Sequence, residues 1–364
     1  MLFATPRPSA ATAARLDRLG ELRRRLGDRV STPSPWLGTL RRQVQAASVE
    51  GSTSIEGFRL PPGEVGAHAL SPGEEESRLA LACYARAMDH VGVMASDPGF
   101  LWSDRVLLDL HFDACHFQRE KSPGQWRTGP ITVSRSEHEA PYRAPDAGQV
   151  PELIGEMVRW LNGGDLEANV VVRAAIAHLH LVSIHPFRDG NGRLARIVQS
   201  LVLAREGILS PEFGSIEEYL GANTAAYYSA LREAQGEHYE PGRDASGWVD
   251  FCIDAHLAQT EQRLAQVSEA GARWAFLERL VGEHRWPERL VIALEQSLLG
   301  GTDRATYARE AAVSMATASA DLRRLRDAGL VAQVGRSRNI RYHASDALRG
   351  RVTQALSREG RGEP

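Results

Sequence analysis

The stretch HPFRDGNGRLAR, residues 185–196, separates the two most apolar segments of this 364-residue chain. Segments 168–184 and 193–206 carry hydrophobic residues on nearly every helical face, so both are predicted as helices central to a core, joined by the loop. Gly190 and Gly192 let that loop take positive φ and approach a ligand closely, and the following helix presents unpaired N–H groups and its positive dipole end. An anion belongs there. Arg193 and Arg196 lie one helical turn apart, suited to bidentate contact with phosphate oxygens. Cations are disfavoured at a helix N-terminus, so these two imply a ligand or a carboxylate nearby. Asp189 is a hard oxygen ligand of the kind that holds Mg2+ already bound to phosphates. Asn191 can donate to a phosphate oxygen, and His185 can serve as a general base near neutrality. Phe187 is expected to pack inward. Taken singly, each of these residue types is commoner in a structural role, but the whole run in this order points to a polyphosphate site. Zinc is not expected, because His178 and His180, two apart on a helix, face nearly opposite sides and cannot both join His185.

Outward from this loop, apolar residues at three- and four-residue steps predict helices over 11–26, 39–48, 77–91, 104–117 and 150–161. Between the last two, residues 122–148 are rich in Pro and Gly, and the alternation Ile131, Thr132, Val133 predicts a short strand or hairpin. Further helices are expected over 216–234 and 246–283, the second a spacer broken by Trp286-Pro287. Beyond it come helices 288–299, 304–311 and 315–328, the last capped by Ser314, then β-like runs 330–334 and 339–343 around a GRSR tip. That order reads as a winged helix-turn-helix. The expected organisation is a helical region over 1–100, a core over 101–255, a linker over 256–286 and the winged-helix domain with its tail over 287–364.

The formal charge is −3, with 43% hydrophobic and 24% charged residues, ordinary for a globular protein and unlike a basic nucleic-acid coat. From residue 287 onward, however, 13 arginines face nine acidic residues, net +4, while the remainder is −7. Cys83, Cys115 and Cys252 are odd in number and sit in apolar helical patterns, as reduced core thiols do. The start, MLFATPRPSA, lacks a signal-peptide pattern and no apolar run is long enough to span a membrane, so a cytoplasmic protein is expected. Lys121 is the lone lysine, which makes a lysine-nucleophile enzyme a poor fit.

HPFRDGNGRLAR resembles, position for position, the signature HPFx[DE]GNGRxxR of the Fic family (filamentation induced by cAMP). The resemblance extends to GQWRTGPITVSRSEHEAPYRAP (124–145), similar to the family's flap, and to YYSALREAQ (227–235), similar to its nucleotide-pocket helix, spanning roughly 36–255. It implies an all-α Fic fold with a small β-hairpin flap and an activity that transfers AMP from ATP to a Ser, Thr or Tyr hydroxyl of a target protein or of the chain itself. By that resemblance His185 is the base and Asp189 the Mg2+ ligand. Gly190, Asn191 and Gly192 hold the α-phosphate region, Arg193 and Arg196 reach the outer phosphates, and Tyr228 and Gln235 lie near adenine. Glycine at 192, where kinase relatives carry lysine, favours nucleotidyl transfer. The segment Ser52-Thr53-Ser54-Ile55-Glu56-Gly57 fits the family's inhibitory pattern [ST]xxxE[GN], with Ser52, Glu56 and Gly57 in its defined positions and Glu56 paired to Arg196.

The flap residues Ile131, Thr132 and Val133 are expected to dock the target by strand addition. In the winged helix, Thr317 and Ser319 would face bases of duplex DNA, with Arg323, Arg324, Arg336 and Arg338 on phosphates; protein docking is the other use of such a module. Removal of AMP at the same loop, or a DNA-binding regulator whose core only senses nucleotide, are the competing readings. An intact His185 and Asp189 favour an enzyme over the sensor. A homo-oligomer is left open.

Overall fold

Nearly all regular structure is helical in the computed structural model, which describes residues 1–60, 71–133, 141–335 and 339–359. Two compact units divide the chain: Met1–Pro33 with Gly38–Leu264, and Ser34–Leu37 with everything from Ala265 onward. The first contains α1 (Ala10–Ser31), α2 (Leu37–Ile55, from Gly38), α3 (Pro72–Ser96), α4 (Asp104–Cys115), α5 (Val150–Gly163), α6 (Val170–Ile184) and α7 (Asn191–Ala204). It continues with α8 (Pro211–Gly214), α9 (Glu217–Ala222), α10 (Thr224–Gln235) and the start of α11 (Ser246–Glu283). Strands β1 (Thr132–Val133) and β2 (Tyr142–Arg143) form an antiparallel hairpin in which Thr132 faces Arg143 and Val133 faces Tyr142.

The two apolar segments form the centre. Asn169 caps α6 by accepting from the Val171 N–H at 2.9 Å, and every residue from Ala174 to Ile184 is buried. All of α7 except Gly192 is buried as well. Around this pair, α3 and α4 pack on α7, and α5 and α10 on α6. Polar periodicity places the surface helices: α1 buries Leu16, Leu19, Leu26 and Val30 on one stripe, and α3 starts at a capping box between Ser71 and Glu74.

Three expectations are corrected. No boundary falls at residue 100, because Phe3, Leu16, Leu19, Val49 and Tyr84 share one core with α6 and α7. Segment 256–286 is not a bare linker: Trp274, Leu277, Leu280 and Val281 of α11 lie buried in the core of the second unit. That helix ends at Glu283, ahead of the proline, because Arg285 takes a left-handed φ of 53° and the Trp286 N–H returns to the Val281 carbonyl. The helix expected over 216–234 is likewise split, with Asn223 non-helical between α9 and α10.

The second unit holds the rest of α11, then α12 (Leu290–Leu298), α13 (Arg304–Glu310), α14 (Met315–Asp327), the antiparallel pair β3 (Val331–Val334) and β4 (Arg341–Ala344), and α15 (Asp346–Glu359). Ser314 caps α14 through the Thr317 N–H at 3.1 Å. Asp321, 3% exposed, seats α14 by accepting from Arg289 (2.7 and 3.1 Å) and from the Tyr307 hydroxyl (2.9 Å). Among the described residues no helix is long and apolar enough to cross a membrane.

In the first unit α2 meets α9 backbone to backbone. A Cβ on Gly51 would strike the Glu217 carbonyl and lie 2.7 Å from the Glu218 Cα, and one on Gly221 would lie 2.6 Å from the Gly51 carbonyl. Gly51→Ala is therefore expected to push α2 outward at a cost of roughly 1–3 kcal/mol, seen as a fall of several degrees in the calorimetric melting temperature. An unchanged melting temperature would show that this seat yields without strain.

Candidate active site

His185 closes α6 in the left-handed conformation, φ 51°, a strained choice for a residue with a Cβ. The strain is held by Arg127, a residue the motif reading did not single out. Its Nε donates to the His185 carbonyl at 2.8 Å and its backbone N–H to the Pro186 carbonyl at 2.9 Å. The rest of its guanidinium donates to Gly129 (2.9 Å) and Pro145, one on each arm of the hairpin. Tyr142 adds a hydrogen bond from its hydroxyl to the Ser183 carbonyl at 2.6 Å. The signal in the sequence was an arginine among Gly and Pro, but nothing local says which carbonyls it will meet. The His185 Nδ1–H donates to the Val182 carbonyl at 3.1 Å, so Nε2 is the basic nitrogen.

The loop lies on α4. His111, 1% exposed, stacks face to face on Phe187 with ring centres 3.5 Å apart. Its Nδ1 accepts from the Gly124 N–H and its Nε2 donates to the Asp189 carbonyl, both at 2.9 Å. Burial pushes this imidazole down to about 4, so it is a neutral staple. Gly190 has φ 77°, and a Cβ there would strike the Cys115 sulfur, so only glycine fits. Gly192 departs from the expectation of positive φ: it is an ordinary helical residue of α7. Asn191 departs too. Buried at 2% exposure, its side chain accepts from the Phe187 N–H and donates to the Phe187 carbonyl, both at 2.9 Å, so it locks the loop rather than presenting an amide to a ligand.

Among the described residues no side chain caps α7, whose dipole end is directed at the loop mouth. The end of α2 reaches that mouth. Arg196, 2% exposed, donates from Nε to the Ser52 hydroxyl (2.7 Å) and from Nη2 to the Ser52 carbonyl (3.1 Å) and to Glu56 Oε1 (2.7 Å). Gly57, φ 88°, then turns the chain. A Cβ on Gly192 would lie 2.7 Å from Glu56 Oε1, so the bare backbone there makes room for the carboxylate. Burial opposes the Glu56 charge, yet Arg196 and then Arg193 hold its carboxyl below the ordinary range.

Asp189 keeps its side chain 38% exposed at the mouth, with Oδ1 accepting from the Gly190 N–H at 2.6 Å. Among the described residues no three His, Cys, Asp or Glu converge on a metal position. A single open carboxylate fits Mg2+, which keeps water and phosphate oxygens as its other ligands. Tyr228 donates its hydroxyl to the Ile55 carbonyl at 3.3 Å, at the end of α2. Gln235 is fully buried and donates to Ser183 Oγ at 3.0 Å, so it does not line an open adenine site. Ile131, Thr132 and Val133 form the outer arm of the hairpin, since β2 is also bridged on its far side by His238. In the second unit Arg323 and Arg324 are exposed on α14, whereas the Ser319 hydroxyl donates back to the Met315 carbonyl and that of Thr317 contacts Ser314. Those two hydroxyls are therefore satisfied within their own helix. Arg336 and Arg338 lie outside the described residues.

Behind Arg196 a buried polar chain runs inward. Nη1 reaches the Tyr227 hydroxyl at 3.5 Å and that hydroxyl donates to His178 Nε2 (3.1 Å). His178 Nδ1–H donates to Gln199 (2.7 Å), whose amide reaches His256 (3.3 Å).

Residues 102–203 match the sequence model of the Fic/DOC family. The chain is 29% identical over 179 residues to the protein adenylyltransferase fic-1 of Caenorhabditis briggsae, covering 49% of this chain and 31% of that one. It is 42% identical over 184 residues to the protein adenylyltransferase Fic of Drosophila erecta, 47% and 34% respectively. It thus spans about a third of the length of the curated relatives it matches. Its fold is similar to a Fic family protein from Desulfovibrio desulfuricans G20, with a TM-score of 0.59 at 20% identity over 94% of this chain and 98% of the other. Fic-1 of Caenorhabditis elegans gives a TM-score of 0.56 at 24% identity over 70% and 72%.

The buried imidazoles make a pH prediction. Burial, reinforced by Arg196 and partly offset by the bond to Gln199, lowers His178 from 6.5 to about 3. The unfolded chain therefore binds a proton that the folded chain refuses across that window. Stability present above pH ~6.5 should be lost as the pH falls toward 3, by up to ~1.4 kcal/mol per pH unit for each such imidazole. Urea unfolding of wild type and His178→Gln from pH 7 to 4 should show a shallower slope in the variant; equal slopes would mean that His178 is charged in the fold.

Proposed function

We propose, from the match of residues 102–203 to the Fic/DOC family model, that this protein transfers AMP from ATP to a Ser, Thr or Tyr hydroxyl of a target protein and that Glu56 holds the reaction in check. The observation that carries the reading is one loop that joins a basic His185 Nε2, an open Asp189 and the uncapped start of α7. In the reaction the target hydroxyl gives its proton to Nε2 while its oxygen attacks the α-phosphorus. The bond from that phosphorus to the bridging oxygen breaks, and pyrophosphate leaves. The Val182 carbonyl keeps its bond to Nδ1–H throughout and so steadies the imidazolium. Asp189 would hold Mg2+, which neutralises charge on the leaving pyrophosphate when bound. The α7 N–H groups and Arg196 would take the phosphate oxygens, with Asn191 keeping the loop in shape. The outer arm Ile131–Val133 supports docking of an extended target segment through backbone hydrogen bonds.

Arg196 cannot hold Glu56 and the outer phosphates at once. The productive arrangement is then a minor state, and each ~1.4 kcal/mol in favour of the ion pair lowers its fraction tenfold. With labelled ATP, His185→Ala should lose labelling while still binding nucleotide, because the base acts only in the transition state. Glu56→Gly should label roughly ten- to a hundredfold faster than wild type. A wild-type rate in the first variant would remove the base from His185, and no gain in the second would remove the restraint.

The second unit is read as a winged helix that binds duplex DNA. Support comes from α12, α13 and α14 followed by its hairpin, its net charge of +4 and the exposed Arg323 and Arg324. Mobility shifts of the full chain should weaken steeply with salt, and Arg323→Ala with Arg324→Ala should reduce that salt dependence. No shift at low salt would leave the module to protein docking.

A further inference from the structure

Arg193 is a cation sealed from water with most of its donors unused. Its side chain is 1% exposed, and among the described residues Nε and Nη1 are buried without a hydrogen-bond partner. Nη2 reaches Gln118 Oε1 at 3.3 Å and Asp189 Oδ1 at 3.5 Å. Rings hold the charge instead. The guanidinium centre lies 5.5 Å from the Phe58 ring and 5.5 Å from the Phe117 ring, and those rings meet edge to face at 5.4 Å.

Phe58 stands two residues beyond Glu56. Its N–H donates to the Thr53 carbonyl at 3.1 Å, and the Gly57 N–H to Ser54 at 3.1 Å, so Glu56 and Phe58 are fixed on one turn at the end of α2. From that turn Glu56 grips Arg196 and Phe58 covers Arg193.

We propose that Phe58 is a positioning residue that acts through Arg193, an aromatic lid that withholds this second arginine from a polyphosphate. The proposal rests on the reading of the loop as a nucleotide site. The sign follows from access: donors with no exposed surface cannot meet phosphate oxygens until a cover moves. Phe58 is the cover carried by the turn that already holds Arg196, so one movement of that turn releases both guanidinium groups, an ion pair on one side and a stack on the other. A buried guanidinium with unpaired donors is poor in the closed state and good once phosphate arrives, which makes the lid reversible.

The test uses the full chain and α,β-methylene ATP, which binds without transferring AMP, with calorimetric Kd values and initial labelling rates measured side by side. Phe58→Ala should bind the analogue about three- to twentyfold more tightly, the range of one cation–π contact. The gain should appear again on top of Glu56→Gly, vanish when Arg193→Ala is added, and be absent in Phe58→Tyr, which keeps the ring. Phe58→Leu keeps the apolar bulk without the π face and should show a smaller gain of the same sign, which covers the case of an Ala variant that fails to fold. Unchanged or weaker binding in Phe58→Ala and Phe58→Leu would overturn the lid and make Phe58 a support for Arg193. Tighter binding without labelling in any variant would leave the lid standing and sink AMP transfer; labelling that rises with Glu56→Gly while binding ignores Phe58 would do the reverse.

Discussion

Arg196 is a guanidinium in the protein core whose donors are paired, and its partners lie on the end of a helix more than a hundred residues away in sequence. The Ser52 hydroxyl and carbonyl and the Glu56 carboxylate take its donors, and the Tyr227 hydroxyl carries the contact inward to His178, Gln199 and His256. Removing a partner from such a cation leaves a buried charge uncompensated, so the site is stable only while some anion sits beside Arg196. Here that anion is the Glu56 carboxylate, at 2.7 Å. Because Ser52 and Glu56 sit at the end of α2, this pairing depends on where α2 lies, and so on its seat on α9 at Gly51 and Gly221.

The loop 185–192 is shaped by neighbours rather than by its own hydrogen bonds alone. His111 and Phe187 stack, Asn191 folds back on Phe187, and Arg127 gathers the carbonyls of His185 and Pro186 while reaching both arms of the hairpin. A left-handed histidine persists because these contacts over-determine it. Arg127 also couples the loop to the hairpin, so His185 and both arms of that hairpin are held by one side chain.

Much of this protein could be read in its sequence alone. Periodicity located the helices, because a half-buried helix must repeat its apolar residues at 3.6, and the long apolar runs of 168–184 and 193–206 could only be central. The loop HPFRDGNGRLAR declared an anion site, since glycine, a helix start and paired arginines leave few other uses, and the pairing of Glu56 with Arg196 was expected from the inhibitory pattern and is present at 2.7 Å. Which side chains point at a ligand was decided only in three dimensions. Asn191 and Gln235 have the chemistry to bind a nucleotide and spend it on the loop and on α6, Gly192 is needed for room rather than for φ, and Arg127, His111 and Phe58 carry no local mark of their roles. The division has a physical cause. Helix and turn preferences act between neighbours a few residues apart and are written in the local order of residues. The pairing of a buried charge or a buried amide depends on which distant backbone the packed core happens to bring within 3 Å.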